Sequence, residues 1–304
     1  MSSFKINTIN DKSGPGIFGS RLCDGLLEKG WTWNPAQPKY NICFATGQKI
    51  PGSVNVLRLD NLYFDSENTI GDTDKLNAPI RQVYNTFDKI IFQSEFAVEQ
   101  YKAHLGPIRV PYKVIYNGVP TTFSSKGNKV NYGFNKTFIC SADWRAHKRL
   151  EPMMEAFKLF DKSLNYGLVI LGNCKVKDNH PNIVYPGKLH HTQIPEYTRG
   201  ADAGVHISWL DCSPNVVYEM LACGLPVLCS HNGGTKEIIR NDGLALKLEN
   251  DYNYSRVALY KPPKPNLGLL HQGMKDILTK KVSDRPDLYI EHVVNEYDKF
   301  MRVN

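Results

Sequence analysis

Residues 210–230 read Leu-Asp-Cys-Ser-Pro-Asn-Val-Val-Tyr-Glu-Met-Leu-Ala-Cys-Gly-Leu-Pro-Val-Leu-Cys-Ser and hold two carboxylates, Asp211 and Glu219. An apolar strand is expected to end near Ser208 and a helix to begin near Val216. The first backbone N–H groups of a helix lack helical partners and attract anions such as phosphate. Ser213, Pro214, Asn215 and Val216 line that helix start, so they are candidates for binding a phosphorylated ligand. Glu219 falls in the first turns, where a carboxylate can accept hydrogen bonds from sugar hydroxyls beside a bound phosphate. Taken singly, each acid has a plainer role: Glu219 as a helix-dipole partner, Asp211 as a loop cap.

Ser141-Ala-Asp-Trp-Arg-Ala-His-Lys-Arg-Leu150 gathers Arg145, His147, Lys148 and Arg149 between an expected strand end and helix start. Cations there are disfavoured by the helix dipole, and a bound anion would relieve the cost. Arg and Lys also stabilise a departing diphosphate, on which negative charge accumulates. A third segment, Ser13-Gly-Pro-Gly-Ile-Phe-Gly-Ser20, reads as a loop ahead of a helix over 18–29. Gly14 and Gly16 would let backbone approach a ligand closely. Pro15 and the missing acid about 20 residues on weaken a dinucleotide reading. A fourth, Val56-Leu-Arg-Leu-Asp60, places a carboxylate at a strand end. Asp60 could orient an acceptor hydroxyl or contact a sugar, or simply pair with Arg58. Asp72-Thr-Asp74 matches D-x-D by letters, but a polar loop after Gly71 accounts for it, and no metal site is assigned.

Strand-like and helical patterns alternate along almost the whole chain. Strands are expected at 5–10, 41–45, 54–59, 89–93 and 113–116, and helices at 18–29, 78–87 and 95–105. After the polar stretch 120–132 a second series follows: strands at 137–141, 167–171, 183–185, 204–208, 226–230 and 244–248. Helices at 150–161, 194–199, 216–222 and 236–240 alternate with them, and 284–300 forms a long terminal helix. The expected division is a Rossmann-like domain over 1–125, a second over 126–285 and a terminal helix over 286–304, free to cross back to the first. In such parallel sheets, ligands lie beyond the carboxyl ends of the strands. The polar segments above fall there.

Asp211-x7-Glu219, with Met-Leu-Ala-Cys-Gly-Leu-Pro-Val-Leu after it, resembles the E-x7-E signature of the retaining GT-B glycosyltransferases of family 4 (glycosyl transferases group 1). His231-Asn-Gly-Gly-Thr-Lys-Glu237 resembles the same family's glycine pair and trailing Glu. Asp211 stands where the family usually has the longer Glu. Lys148 fits the family's diphosphate-binding lysine; Arg145 substitutes for an arginine usually found at the position of Ala142. The 13–20 segment is similar to the family's first glycine-rich loop. Together the likeness spans about residues 13–248.

The resemblance implies an α/β GT-B fold of two Rossmann-like parallel-sheet domains facing across a cleft. It implies a retaining transfer of a hexosyl or pentosyl group from a UDP- or GDP-sugar. The acceptor would be a hydroxyl of a glycan, a lipid-linked sugar or a protein glycan. Glu219 would bind the ribose; Asp211 and the backbone of residues 213–216 would hold the sugar. Arg145 and Lys148 would take the diphosphate, Gly14 and Gly16 would face the donor, and no metal or other cofactor would be required.

Composition sets the rivals. The formal charge is +7, yet the basic residues are scattered, where a nucleic-acid binder needs a continuous basic stripe. Such charge permits peripheral membrane contact. No apolar run is long enough to span a bilayer, and the start of the chain lacks the pattern of a signal peptide, so a cytoplasmic location is expected. Seven cysteines without C-x-x-C spacing argue against a disulfide scaffold. The remaining rivals are a GT-B-fold epimerase, an inverting transferase, an NAD-dependent oxidoreductase or a non-catalytic binding relative.

Overall fold

The computed structural model describes residues 2–8 and 13–303. It divides into two compact units: Met1–Pro120 with Tyr254–Val257 and Pro286–Asn304, and Thr121–Asn253 with Ala258–Arg285.

The first unit comprises β1 (Ser3–Ile6), α1 (Gly14–Glu28), β2 (Thr32–Trp33), β3 (Tyr40–Phe44), β4 (Val54–Leu59), α2 (Thr73–Val83), β5 (Lys89–Phe92), α3 (Glu95–Leu105) and β6 (Tyr112–Val114). Its sheet has the order β2-β1-β3-β4-β5-β6, every neighbour parallel. β3 and β5 are buried at every position, as strands covered on both faces must be. The last two residues of the expected first strand, Ile9 and Asn10, lie outside the described residues.

Two helices start earlier than their patterns suggest. Ser13, Gly14, Pro15 and Gly16 are not a loop: Ser13 caps α1, its Oγ accepting from the Gly16 amide at 3.2 Å. Proline suits a first helical turn because its missing N–H has no helical partner to lose. Likewise α2 begins at Thr73, five residues before the expected start, because the Asp72 carboxylate accepts from the Asp74 and Lys75 amides. Asp74, the other acid of the D-x-D, pairs with Arg256, Nη1 at 3.2 Å.

The second unit comprises β7 (Lys136–Ser141), α4 (Leu150–Phe157), β8 (Tyr166–Leu171), β9 (Ile183–Gly187), α5 (Ile194–Arg199), β10 (Ala203–His206), α6 (Asn215–Ala222), β11 (Val227–Ser230), α7 (Thr235–Ile239), β12 (Gly243–Leu246) and α8 (Leu267–Ile277). Its sheet order is β12-β11-β10-β7-β8-β9, again all parallel. Phe138, Met153, Phe157, Leu168, Val205, Leu228 and Met274 belong to one buried cluster between this sheet and its helices. The sequence pattern does not reveal α8. Gly268 and Gly273 weaken it as a helix. Packing explains Gly273, where a Cβ would stand 2.4 Å from Leu246 Cδ1. Asn266 caps the helix through its side chain.

The terminal helix, α9 (Ile290–Arg302), starts six residues later than expected, because Pro286–Leu288 forms a separate 3-10 turn. It completes the core of the first unit: Ile290, Val293, Val294, Tyr297 and Met301 cluster with Phe18, Leu22 and Leu26 of α1. Gly25 permits this approach, since a Cβ there would lie 2.7 Å from Val294 Cγ2. Residues 254–257 also return to this unit, Val257 bridging to Asp65.

Candidate active site in the second unit

The strand order reverses direction between β7 and β10, and in open parallel sheets ligands lie beyond the carboxyl ends of the strands at such a reversal. Of the loops leaving these two strands, the first carries residues 142–149 and the second residues 207–214. A backbone bond ties them, the Trp209 amide donating to the His147 carbonyl at 2.8 Å. Trp144 anchors the first loop to β8, its indole donating to the Leu171 carbonyl at 2.8 Å.

Arg149 fixes the end of the first loop. It adopts a left-handed conformation (φ 58°) and is 1% exposed. Its guanidinium donates to Glu249 Oε2 at 2.8 Å and to the Pro263 carbonyl at 3.0 Å. The other Glu249 oxygen accepts from Ser230 and Asn232, each at 3.0 Å. Of the basic cluster, Arg149 is therefore a structural member. Arg145 lies on the surface, paired with Asp143 at 2.9 Å and bonded to the Tyr260 side chain.

The second loop presents Asp211. Leu210 before it has a positive φ of 57°, and the Asp211 carbonyl accepts from the Gly234 amide at 2.8 Å. Gly233 passes so close that a Cβ would meet that carbonyl oxygen at 2.7 Å, which accounts for the first glycine of the pair. Across 63 residues of sequence, Lys148 Nζ bonds to Asp211 Oδ2. His206 Nε2, at the end of β10, lies 3.3 Å from the same oxygen. Burial would raise the Asp211 carboxyl, but the Lys148 charge and the His206 bond hold it well below the usual carboxylate range. Burial pushes His206 below the usual imidazole range despite its acidic partner. A carboxylate only accepts, so the His206 Nε2 carries the hydrogen in this pair.

α6 follows at once. Pro214 occupies its N-cap position, Asn215 and Val216 its first turn, and the Ser213 hydroxyl contacts the Tyr218 hydroxyl at 2.8 Å. Glu219 lies just over one turn along the helix and is 8% exposed. Asp211, Lys148 and the 213–219 segment thus belong to one unit and one sheet end. Gly14, Gly16 and Asp60 belong to the first unit. There Gly14 and Gly16 lie in the first turn of α1. Asp60 pairs with Arg58, which is fully buried between the Phe18 and Phe44 rings, 4.3 and 4.9 Å away.

His206 carries little signal in the sequence. Its only signal is a polar residue closing an otherwise apolar strand, a few positions before Asp211. His147, amid the basic cluster, has no distinguishing signal of its own. Burial, then the nearby Lys148 charge, pushes His147 down to about 3. Between its ordinary value of 6.5 and about 3, the unfolded chain takes a proton on His147 that the folded chain refuses. Stability should therefore fall as pH falls through that window. Urea unfolding at pH 7 and pH 4 should show the wild type losing about 1–3 kcal/mol more than His147→Gln. An identical loss in both proteins would remove His147 from the explanation.

Residues 125–255 match the family described as Glycosyl transferases group 1. That segment holds both loops, α6 and all of Lys148, His206, Asp211 and Glu219. It covers somewhat under half of the chain. Sucrose-phosphate synthase from Thermosynechococcus elongatus superposes with a TM-score of 0.67 at 12% identity, covering 99% of this chain and 94% of that one. HepE from Anabaena in complex with UDP gives a TM-score of 0.67 at 12% identity, covering 98% and 99%. WaaG, a glycosyltransferase involved in lipopolysaccharide biosynthesis, gives 0.62 at 13%, covering 98% and 95%. No curated protein sequence matches the chain. The chain has the α/β fold of the GT-B glycosyltransferases, two parallel-sheet units each flanked by helices. Among the described residues, no helix is long and apolar enough to cross a membrane.

Proposed function

We propose that this protein is a retaining glycosyltransferase that moves a sugar from a nucleoside-diphosphate sugar to a hydroxyl of a glycan or lipid-linked acceptor. The observation that carries the reading is the Lys148–Asp211 pair at the strand-order reversal, beside the start of α6, in the segment matching Glycosyl transferases group 1. HepE has been crystallised with UDP and glucose, which makes UDP-sugars the first donors to test, with GDP-sugars beside them.

In this reading Lys148 has a double task. At rest it neutralises Asp211; with donor bound, its ammonium faces the diphosphate as the glycosidic bond lengthens. The first amides of α6 add partial positive charge, and Arg145 supplies more from the surface. These groups do the electrostatic work of a cation without a metal. Asp211 and the 213–216 backbone hold the sugar, and Glu219 accepts from the ribose hydroxyls. The leaving diphosphate, on the same face as the acceptor, takes the acceptor's proton, and no protein nucleophile is assigned. The transferred group is a hexosyl or pentosyl unit in this reading, and a cytoplasmic site of action accords with this substrate class. Contact with a membrane surface would serve a lipid-linked acceptor.

Glu219→Ala should weaken calorimetric binding of UDP or GDP about 10- to 100-fold, the loss expected when a buried charged hydrogen bond to a ligand is removed. Unchanged affinity in the folded variant would take Glu219 out of the nucleotide site. Retention is tested by proton NMR of the first product formed from an α-linked nucleotide sugar. An α-configured product is expected; a β-configured one would convert the reading to an inverting transfer.

A further inference from the structure

We propose that His206 is a positioning residue for Asp211: it pins one carboxylate oxygen so that the other is presented to the transferred sugar. The inference rests on the nucleotide-sugar reading above and concerns how its sugar subsite is set. Both donors on Asp211, Lys148 Nζ and His206 Nε2, reach the same atom, Oδ2. No protein donor among the described residues is bonded to Oδ1. The peptide behind the side chain is held as well, through the Gly234 amide and the close passage of Gly233. With its backbone and one oxygen fixed, the carboxylate keeps a single orientation, which reduces the reorganisation needed to meet a sugar hydroxyl.

Placement supports a specific task for the imidazole. His206 is 5% exposed and ends a strand whose other residues, Ala203, Gly204 and Val205, are small or apolar and buried. An imidazole in that position is costly to bury without a partner, and an aliphatic residue would fill the strand at less expense. The charged and titratable groups that act on His206 are Asp211 and Lys148, and His206 in turn acts on His147. A neutral imidazole can donate to Asp211 without competing with Lys148 for its charge. The lysine keeps its remaining N–H groups for phosphate.

Two substitutions separate positioning from mere filling of space. His206→Leu fills the strand position without a donor, and His206→Gln restores an N–H near the place of Nε2. The full chain is assayed for nucleoside diphosphate release from UDP-glucose and GDP-mannose, and for calorimetric binding of UDP and GDP. His206→Leu should bind the nucleoside diphosphate as the wild type does yet lose about 10- to 100-fold in kcat, the scale of a misplaced catalytic group. His206→Gln should recover most of that loss. Wild-type kcat in His206→Leu, or a Gln variant as slow as the Leu one, would overturn the role while leaving the transferase reading intact. A wild-type protein that binds neither UDP nor GDP would overturn both, and that failure is visible before any variant is made.

Discussion

Lys148→Ala should lower glycosyl transfer about 100- to 1000-fold, the loss seen when one preorganised stabiliser of developing negative charge is removed. The expectation follows from where the ammonium stands. It is tied to Asp211 at the end of the loop after β7 and is only 18% exposed, so little water screens it. With donor bound, such a charge acts on a diphosphate more strongly than a surface lysine could. The loss should fall mainly on kcat, because charge on the leaving group grows as the bond breaks. Binding of the intact donor, which the proposal divides among Lys148, α6 and Glu219, should change less. Lys148→Arg keeps the charge with a different shape and should recover part of the rate. Steady-state kinetics of nucleoside diphosphate release measures the effect, and thermal unfolding followed by circular dichroism reports on the fold. A folded Lys148→Ala protein with undiminished kcat would show that the pair with Asp211 is only a structural tie.

Arg149, next in sequence, should give the opposite pattern. Arg149→Met should destabilise the second unit by about 3–5 kcal/mol, because removing one partner strands the other charge in the interior. Here the stranded group is Glu249, whose side chain is 4% exposed and which also gathers Ser230 and Asn232. Removing both charges together, in Arg149→Met with Glu249→Leu, should recover much of the loss, since a buried pair often exchanges for apolar groups of like volume at small net cost. Urea unfolding of the three proteins measures this. Equal stability of Arg149→Met and wild type would mean that water reaches Glu249 readily. Two adjacent cations thus separate by burial, one serving the proposed chemistry and one the fold.

The parallel-sheet architecture was legible because buried strands leave dense apolar runs and the helices between them carry helical spacing. The differences between pattern and structure have local causes. Ser13-Gly-Pro-Gly reads as a loop by composition, yet a serine cap and an early proline suit a helix start, and α1 begins there. α8 is hidden in the sequence because Gly268 and Gly273 mimic a turn, whereas Gly273 serves a close contact with Leu246. The same limit applies to the site. Asp211, Lys148 and Glu219 stand out by residue type and spacing. The bond between Lys148 and Asp211 does not, because it depends on β7 and β10 being neighbours in the sheet. His206 is invisible for the same reason: only strand order and loop geometry bring its ring to Asp211. Asp60, at a strand end, pairs with Arg58 two residues away, a partner that the sequence spacing already offers.

Calorimetric titration of UDP and GDP into the purified full-length protein, with NAD and duplex DNA as comparators, tests the central claim most directly. Saturable binding of one nucleoside diphosphate at one site per chain, with no comparable heat from NAD or DNA, is the predicted result. Binding of NAD or DNA with none of UDP or GDP would contradict the proposal that the Asp211–Glu219 segment is a nucleotide-sugar site.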